Sequence, residues 1–462
     1  MALPVLSGQG GSQEASVSNL NTPSVLRRRI EPIWKQYAMA SALNVKKAST
    51  QLRGEEILRE GVLLTFRDPL PEQCSLLWNL SVREWRNLLR WLHISGLALY
   101  FLDRMVEVRR CDVLPPYVLT SLRQNLNDNI GRTRGMIAES IAIQRKFQEA
   151  RLCYAKLKGL SLWPVAVPKP ELRSQFDLDF LVAEEGAAEA RRILERRGYR
   201  LYASNGRSWE YKINNTPGFA LEDLYRDLPY RSVELHVESP APGRPSLLER
   251  REWRELCGIA MPVLSPVDLF LGHAIHAYKN VCSEFSRAAH LLEFRRHVLT
   301  RSDDSAFWNE VQRTAEGNLR ACLGLGVVTL LITRVFGDFA PEALTDWTFR
   351  RLPRAARLWV EIYGHRKVVD RFPGSKLYLL LQKELESAGV PAKRSLRQSL
   401  LPSRLPPAVI RALPNETLSV RIGRYWMQLG FIFLRLRFHI VEGVRYTWES
   451  RAWRRRLNRL AP

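Results

Sequence analysis

Phe176-Asp177-Leu178-Asp179-Phe180-Leu181-Val182 alternates in polarity and then turns wholly apolar, the pattern of a strand feeding a buried sheet. On a strand, side chains two residues apart share a face. Asp177 and Asp179 therefore point the same way, about 7 Å apart along the backbone. Aspartate is disfavoured in strands. Two on one face repel and lose hydration unless a cation compensates. Mg²⁺, which takes one or two carboxylates together with phosphate oxygens, is such a cation. A second charged strand candidate lies downstream, where Glu234 sits in Val233-Glu-Leu-His236. If the two strands pair, three carboxylates converge on a place able to hold metal for in-line displacement at phosphorus.

The flanks set the architecture. Cys153–Leu157, Tyr199–Ala203, Ser208–Ile213 and Ser232–Val237 are further strand candidates, and Glu184–Arg197 reads as an amphipathic helix closed by Gly198. Upstream, Ser81-Val-Arg-Glu84 has the form of a capping box, and Trp85, Leu88, Leu89, Leu92 and Leu99 follow at helical spacing. The chain is helical again after Pro266. The predicted class is α+β and predominantly helical, with a small mixed-sheet core inserted between helical regions. Residues 1–24 read as a disordered leader, 25–152 as an N-terminal helical region and 153–262 as the sheet core. Residues 263–388 read as a C-terminal helical region, 389–416 as a linker and 417–462 as a basic amphipathic helical arm.

Composition narrows the class further. The 462 residues carry 70 Lys plus Arg against 47 Asp plus Glu, a net charge of +23, which favours acidic partners. At 46% hydrophobic and 25% charged, with 26 Gly and 26 Pro, the chain is neither collagen-like nor wholly disordered. No run of about 18 apolar residues is free of charge, which argues against a spanning helix. The six cysteines (74, 111, 153, 257, 282 and 322) have no C-x-x-C spacing, so neither a zinc site nor a disulfide framework is suggested. A cytoplasmic location is expected, peripheral at the inner membrane surface if the arm binds lipid.

Leu157-Lys-Gly159, Arg173, Asp177-Leu-Asp-Phe-Leu-Val182, a helix ending in Gly198-Tyr199 and Val233-Glu-Leu-His236 follow one another in order. Together they resemble the uncharacterised nucleotidyltransferase family of the DNA polymerase β-like superfamily. The helical preamble from Leu88 with His93-x-x-Gly96, and the later run from Pro266 to Ala274, are similar to that family too. The resemblance implies a nucleotidyltransferase core that moves a nucleoside monophosphate from an NTP, such as ATP, to an unknown hydroxyl acceptor with release of pyrophosphate. It implies Mg²⁺ or Mn²⁺ held by Asp177 and Asp179, with Glu234 as third ligand or as base. Lys158 and Gly159 stand where the family's backbone approaches the triphosphate. Arg173 would offer a phosphate a bidentate fork.

Other residues have plainer accounts. His236 is placed to support the carboxylates or the substrate. Lys212 reaches either phosphate or solvent. His273 and His276 share a helical face and read as core or interface. In the arm, Leu418–Leu460 holds ten arginines against Glu442 and Glu449. Such helices bind anionic membrane surfaces or nucleic acid, whereas ordinary packing would bury the arm's apolar face on the body. The contrasting functional class is a degenerate nucleotidyltransferase-like scaffold that binds nucleic acid or membrane through that arm. Oligomeric state is not legible in the sequence.

Overall fold

The computed structural model describes residues 45–213, 224–226, 232–238, 245–256, 258–392, 394–401 and 417–459. The leader expected at 1–24 lies outside them.

The N-terminal helices are α1 (Val45–Leu64), α2 (Val82–Ser95), α3 (Ala98–Glu107) and α4 (Pro116–Glu149). The predicted capping box forms, with the Ser81 N–H donating to Glu84 at 2.8 Å. Gly96 then ends α2 at φ 78°, a left-handed position that glycine enters without strain.

Seven strands follow among the described residues: β1 (Tyr154–Leu157), β2 (Asp177–Ala183), β3 (Arg200–Asn205), β4 (Ser208–Lys212), β5 (Ser232–Glu238), β6 (Glu252–Leu256) and β7 (Ile259–Val263), with α5 (Ala187–Arg196) between β2 and β3. They form one mixed sheet in the order β3-β4-β5-β2-β1-β7-β6. β2 and β5 run parallel at its centre, and β1 and β4 flank them antiparallel. The β6–β7 hairpin turns at Gly258 (φ 76°) and extends the sheet beyond the strands expected from sequence. One face of β2 and β5, carrying Leu178, Phe180, Val182, Val233 and Leu235, is buried against Ile143 and Phe147 of α4 and Ile193 and Leu194 of α5. Alternation therefore turns Asp177, Asp179, Glu234 and His236 to the opposite face.

The C-terminal helices are α6 (Pro266–Val281), α7 (Ala288–Leu299), α8 (Ser305–Glu316), α9 (Leu319–Phe336), α10 (Glu342–Arg351), α11 (Arg354–Trp359), α12 (His365–Val369), α13 (Tyr378–Ser387), α14 (Leu396–Leu400) and α15 (Leu418–Asn458). Among the described helices only α9 is long and apolar enough to cross a membrane, and 72% of it is buried inside the protein. Helices from before and after the sheet share one apolar core, which takes in Trp85 and Phe101 together with Phe294, Leu331 and Trp359. Polar ties run the same way: Arg59 donates to the Val369 carbonyl at 3.0 Å and Trp91 Nε1 to the Asp370 carbonyl at 3.1 Å.

Two expectations change. The stretch read as a linker from 389 contains α14, and Lys376 Nζ donates to the Ser399 and Leu400 carbonyls at 2.6 and 2.7 Å. The arm is one 41-residue helix, but its apolar face does not cover the body. His439, Glu442, Tyr446 and Trp453 are its buried residues, whereas Trp426 and Phe433 are 71% and 65% exposed.

Candidate functional site

The parallel pairing of β2 with β5 sets the site. Its register places Asp179 beside Glu234, Asp177 beside Ser232 and Leu181 beside His236. Parallel neighbours in register project to the same face, so carboxylates 55 residues apart in sequence become adjacent. His236 Nε2 lies 3.3 Å from Asp179 Oδ1 and 3.4 Å from Glu234 Oε2. Donor atoms of Asp179, Glu234 and His236 all lie within 4.8 Å of one another. Asp177 lies one pleat along the same face.

Lys158 supplies the local positive charge. Its ammonium sits 2.8 Å from Asp179 Oδ1 and 3.8 Å from Glu234 Oε2. The chain leaves β1 through two successive left-handed residues, Lys158 at φ 45° and Gly159 at φ 42°. A Cβ on residue 159 would lie 2.3 Å from Gln175 Nε2, and that same amide donates to the Asp177 carbonyl at 2.7 Å. Glycine is thus required so that Gln175 can brace the start of β2. The Gln175 amide occupies the side of Gly159 where a Cβ would stand.

The charges are held unequally. Burial penalises the Asp179 carboxylate, but His236, Lys158 and Lys156 outweigh it and hold this carboxyl below its usual range. Asp177 moves the other way: burial first, then the charge of Asp179, raises its pKa. The His236 hydrogen bond keeps Glu234 low against its partial burial, with help from the Ser208 hydroxyl, which donates to Glu234 Oε1. Burial opposes the charge on His236, yet Asp179 and Glu234 raise its pKa. Lys158 behaves alike, its burial overcome chiefly by Asp179.

Two residues implied as phosphate ligands are engaged elsewhere. Arg173 is partly buried and its Nε donates to the buried Glu293 Oε1 at 3.1 Å, where the Tyr100 hydroxyl also donates. The fork expected for a phosphate thus faces a protein carboxylate, although its charge still bears on Asp177. Lys212 lies on β4, beyond β5, paired with Glu210 at 2.9 Å and standing 3.7 Å over the Tyr202 ring. It is not gathered with the carboxylates. His273 packs inward, Nδ1 at 3.2 Å from His297 Nδ1, and His276 meets His290 edge to face.

Three residues were not singled out in the sequence. Ser208 and Gln175 carry no local signal, since each acts across a turn or a neighbouring strand. Lys156 is fully buried; its ammonium donates to the Asp179 carbonyl at 3.0 Å and lies 4.2 Å from the Phe180 ring centre. Burial pushes it down to about 7. A lysine inside an otherwise apolar core strand was the available signal.

The fold and its acidic centre define a chain built around paired strands that present carboxylates on one face. Residues 81–337, more than half the chain, match a family described as uncharacterised nucleotidyltransferase, and the chain belongs to that family. Among solved structures, an antigenic nucleotidyltransferase-like protein from Paracoccidioides brasiliensis aligns at 13% identity, covering 47% of this chain and 97% of that one, with a TM-score of 0.27. No curated protein matches the chain.

Proposed function

We propose that the chain is a metal-dependent enzyme that transfers a nucleoside monophosphate from an NTP to a hydroxyl acceptor. The observation that carries this reading is the β2–β5 register, which sets Asp179 against Glu234 with Asp177 on the same face. The donor set fits a divalent ion: two carboxylates and an imidazole of small mutual separation, with a third carboxyl along the strand. Asp177, Asp179 and Glu234 would hold Mg²⁺ or Mn²⁺, which would neutralise charge on the phosphates. His236 orients both flanking carboxylates through its hydrogen bonds. Lys158, already at their edge, would provide the ammonium for a triphosphate entering there. In the transfer the acceptor oxygen bonds the α-phosphorus, the bond to pyrophosphate breaks, and the hydroxyl proton passes to a carboxylate. Positioning and charge neutralisation are most of what such chemistry needs.

The test is pyrophosphate release from each of four NTPs with Mg²⁺ or Mn²⁺ across a panel of hydroxyl acceptors, the wild type beside Asp179→Ala. Release by the wild type alone supports the proposal. Equal release by both removes it. Glu234→Gln separates two roles: as a ligand its loss weakens Mn²⁺ binding, and as a base it slows turnover with Mn²⁺ binding intact.

One specific observation favours the scaffold reading, namely that Lys158 and His236 already bond Asp179. Under it, NTP binding would be indifferent to metal and to Asp177.

A further inference from the structure

The outward face of α15 is built for an anionic lipid surface. Trp426, Leu429, Phe433, Leu436, Ile440 and Val444 are each more than half exposed, and they recur once per turn along one side of the helix. Trp448, 70% exposed, ends the stripe. From Trp426 to Ile440 the stripe advances by three, four, three and four residues, and then by four and four to Trp448. The first part has the spacing of a heptad seam, and the last two steps depart from it. A left-handed coiled coil with a second copy would hold about 3.5 over three or four heptads, whereas here it lasts two.

The charge around the stripe has one sign. The helix holds only two carboxylates, and both are turned to the body: Glu442 is buried and accepts from the Lys376 N–H at 3.0 Å, and Glu449 accepts from the Tyr363 hydroxyl at 2.9 Å. The exposed Arg451, Arg454 and Arg455 follow the stripe at its C-terminal end. Beside it, Leu400, Leu401, Ile440, Val444 and Trp448 line an apolar cleft of about 410 Å³. An aliphatic and aromatic centre with cationic surroundings and tryptophan at both ends suits the boundary between headgroups and acyl chains. Nucleic acid would meet hydrocarbon where its phosphates need cations.

We infer that α15 docks the protein in the plane of an anionic membrane, with the Trp426–Trp448 stripe in the acyl boundary and the arginines at the headgroups. This stands apart from the catalytic reading. The test is co-sedimentation of the full chain with vesicles of phosphatidylcholine alone, or with about one-third phosphatidylglycerol, at about 0.1 M salt. Binding to the anionic vesicles is expected. Leu429→Glu/Phe433→Glu should weaken it about a hundredfold. Arg451→Ala/Arg454→Ala/Arg455→Ala should weaken it at least about tenfold and reduce its salt dependence. These side chains are exposed, so thermal unfolding of both variants should match the wild type. Absence of vesicle binding, or binding that ignores the stripe substitutions, overturns the inference. So does a wild-type dimer that those substitutions turn into a monomer without vesicle binding, or RNA binding lost in their place.

Discussion

Replacing Asp177 by asparagine should stabilise the metal-free protein while abolishing its response to metal. Asp177 and Asp179 share a face two residues apart, about 7 Å by the strand rise. At an effective dielectric near 20, two unit charges at that distance repel by about 2.4 kcal/mol. Lys158, Arg173 and Lys156 offset part of this, and burial of Asp177 adds to the cost of its charge. No side chain among the described residues donates to its carboxyl, so Asp177→Asn breaks no hydrogen bond. A net gain of about 1 kcal/mol follows, or about 1 °C in Tm for a chain of this size. Because the Asp177 pKa is raised on folding, its penalty exists only where it is ionised. The variant's advantage should therefore grow as pH rises through the folded pKa and vanish in acid. Mn²⁺ at about a hundred times its Kd should add about 2.7 kcal/mol to the wild type and nothing to the variant. Differential scanning fluorimetry with a Mn²⁺ titration should thus show the order of stability reversing. A variant that melts lower without metal, or that Mn²⁺ stabilises as much as the wild type, refutes the reasoning.

Two further outcomes follow. Trp453→Ala should cost about 3–5 kcal/mol, because the ring is buried and its Nε1 donates to Glu384 at 3.0 Å. Hydrogen exchange should accelerate along the C-terminal half of α15 while α9 stays protected. Stability should also fall on acidification. Burial holds His276 at about 4 and His297 at about 3, below the unfolded value of about 6.5. Depressed histidines stabilise above the unfolded value and lose that contribution as pH falls towards the folded one. Each adds a slope of about 1.4 kcal/mol per pH unit below about 6.5. Urea unfolding from pH 7 downward, with His276→Gln flattening the slope by one such increment, checks this.

Much of the sheet was legible because its core strands alternate or run apolar. β6 and β7 were not: β6 carries Glu252, Arg254 and Glu255 with Trp253 59% exposed, and β7 contains Pro262. At the sheet edge that composition is tolerated, but it does not announce a strand. The carboxylates were visible as charges in apolar strands, and their shared face followed from the period of two. Adjacency of Asp179 and Glu234 depended on parallel pairing across 55 residues, which local pattern cannot specify. The capture of Arg173 by Glu293 was equally hidden, since that partner lies 120 residues away on another element. The amphipathic character of the arm was legible, but packing of its apolar face on the body was not the outcome, since which side the body covers depended on where Tyr446 and Trp453 found partners.

The shared helical core has a consequence for biosynthesis. Trp91 finds its acceptor at Asp370, 279 residues later, so the first helices leave the ribosome long before their partners exist. Their apolar faces must wait through translation of the entire sheet. A nascent chain halted near residue 264 would hold the acidic strands yet lack half of the body that closes over its opening helices, making the unfinished polypeptide a natural client for chaperones.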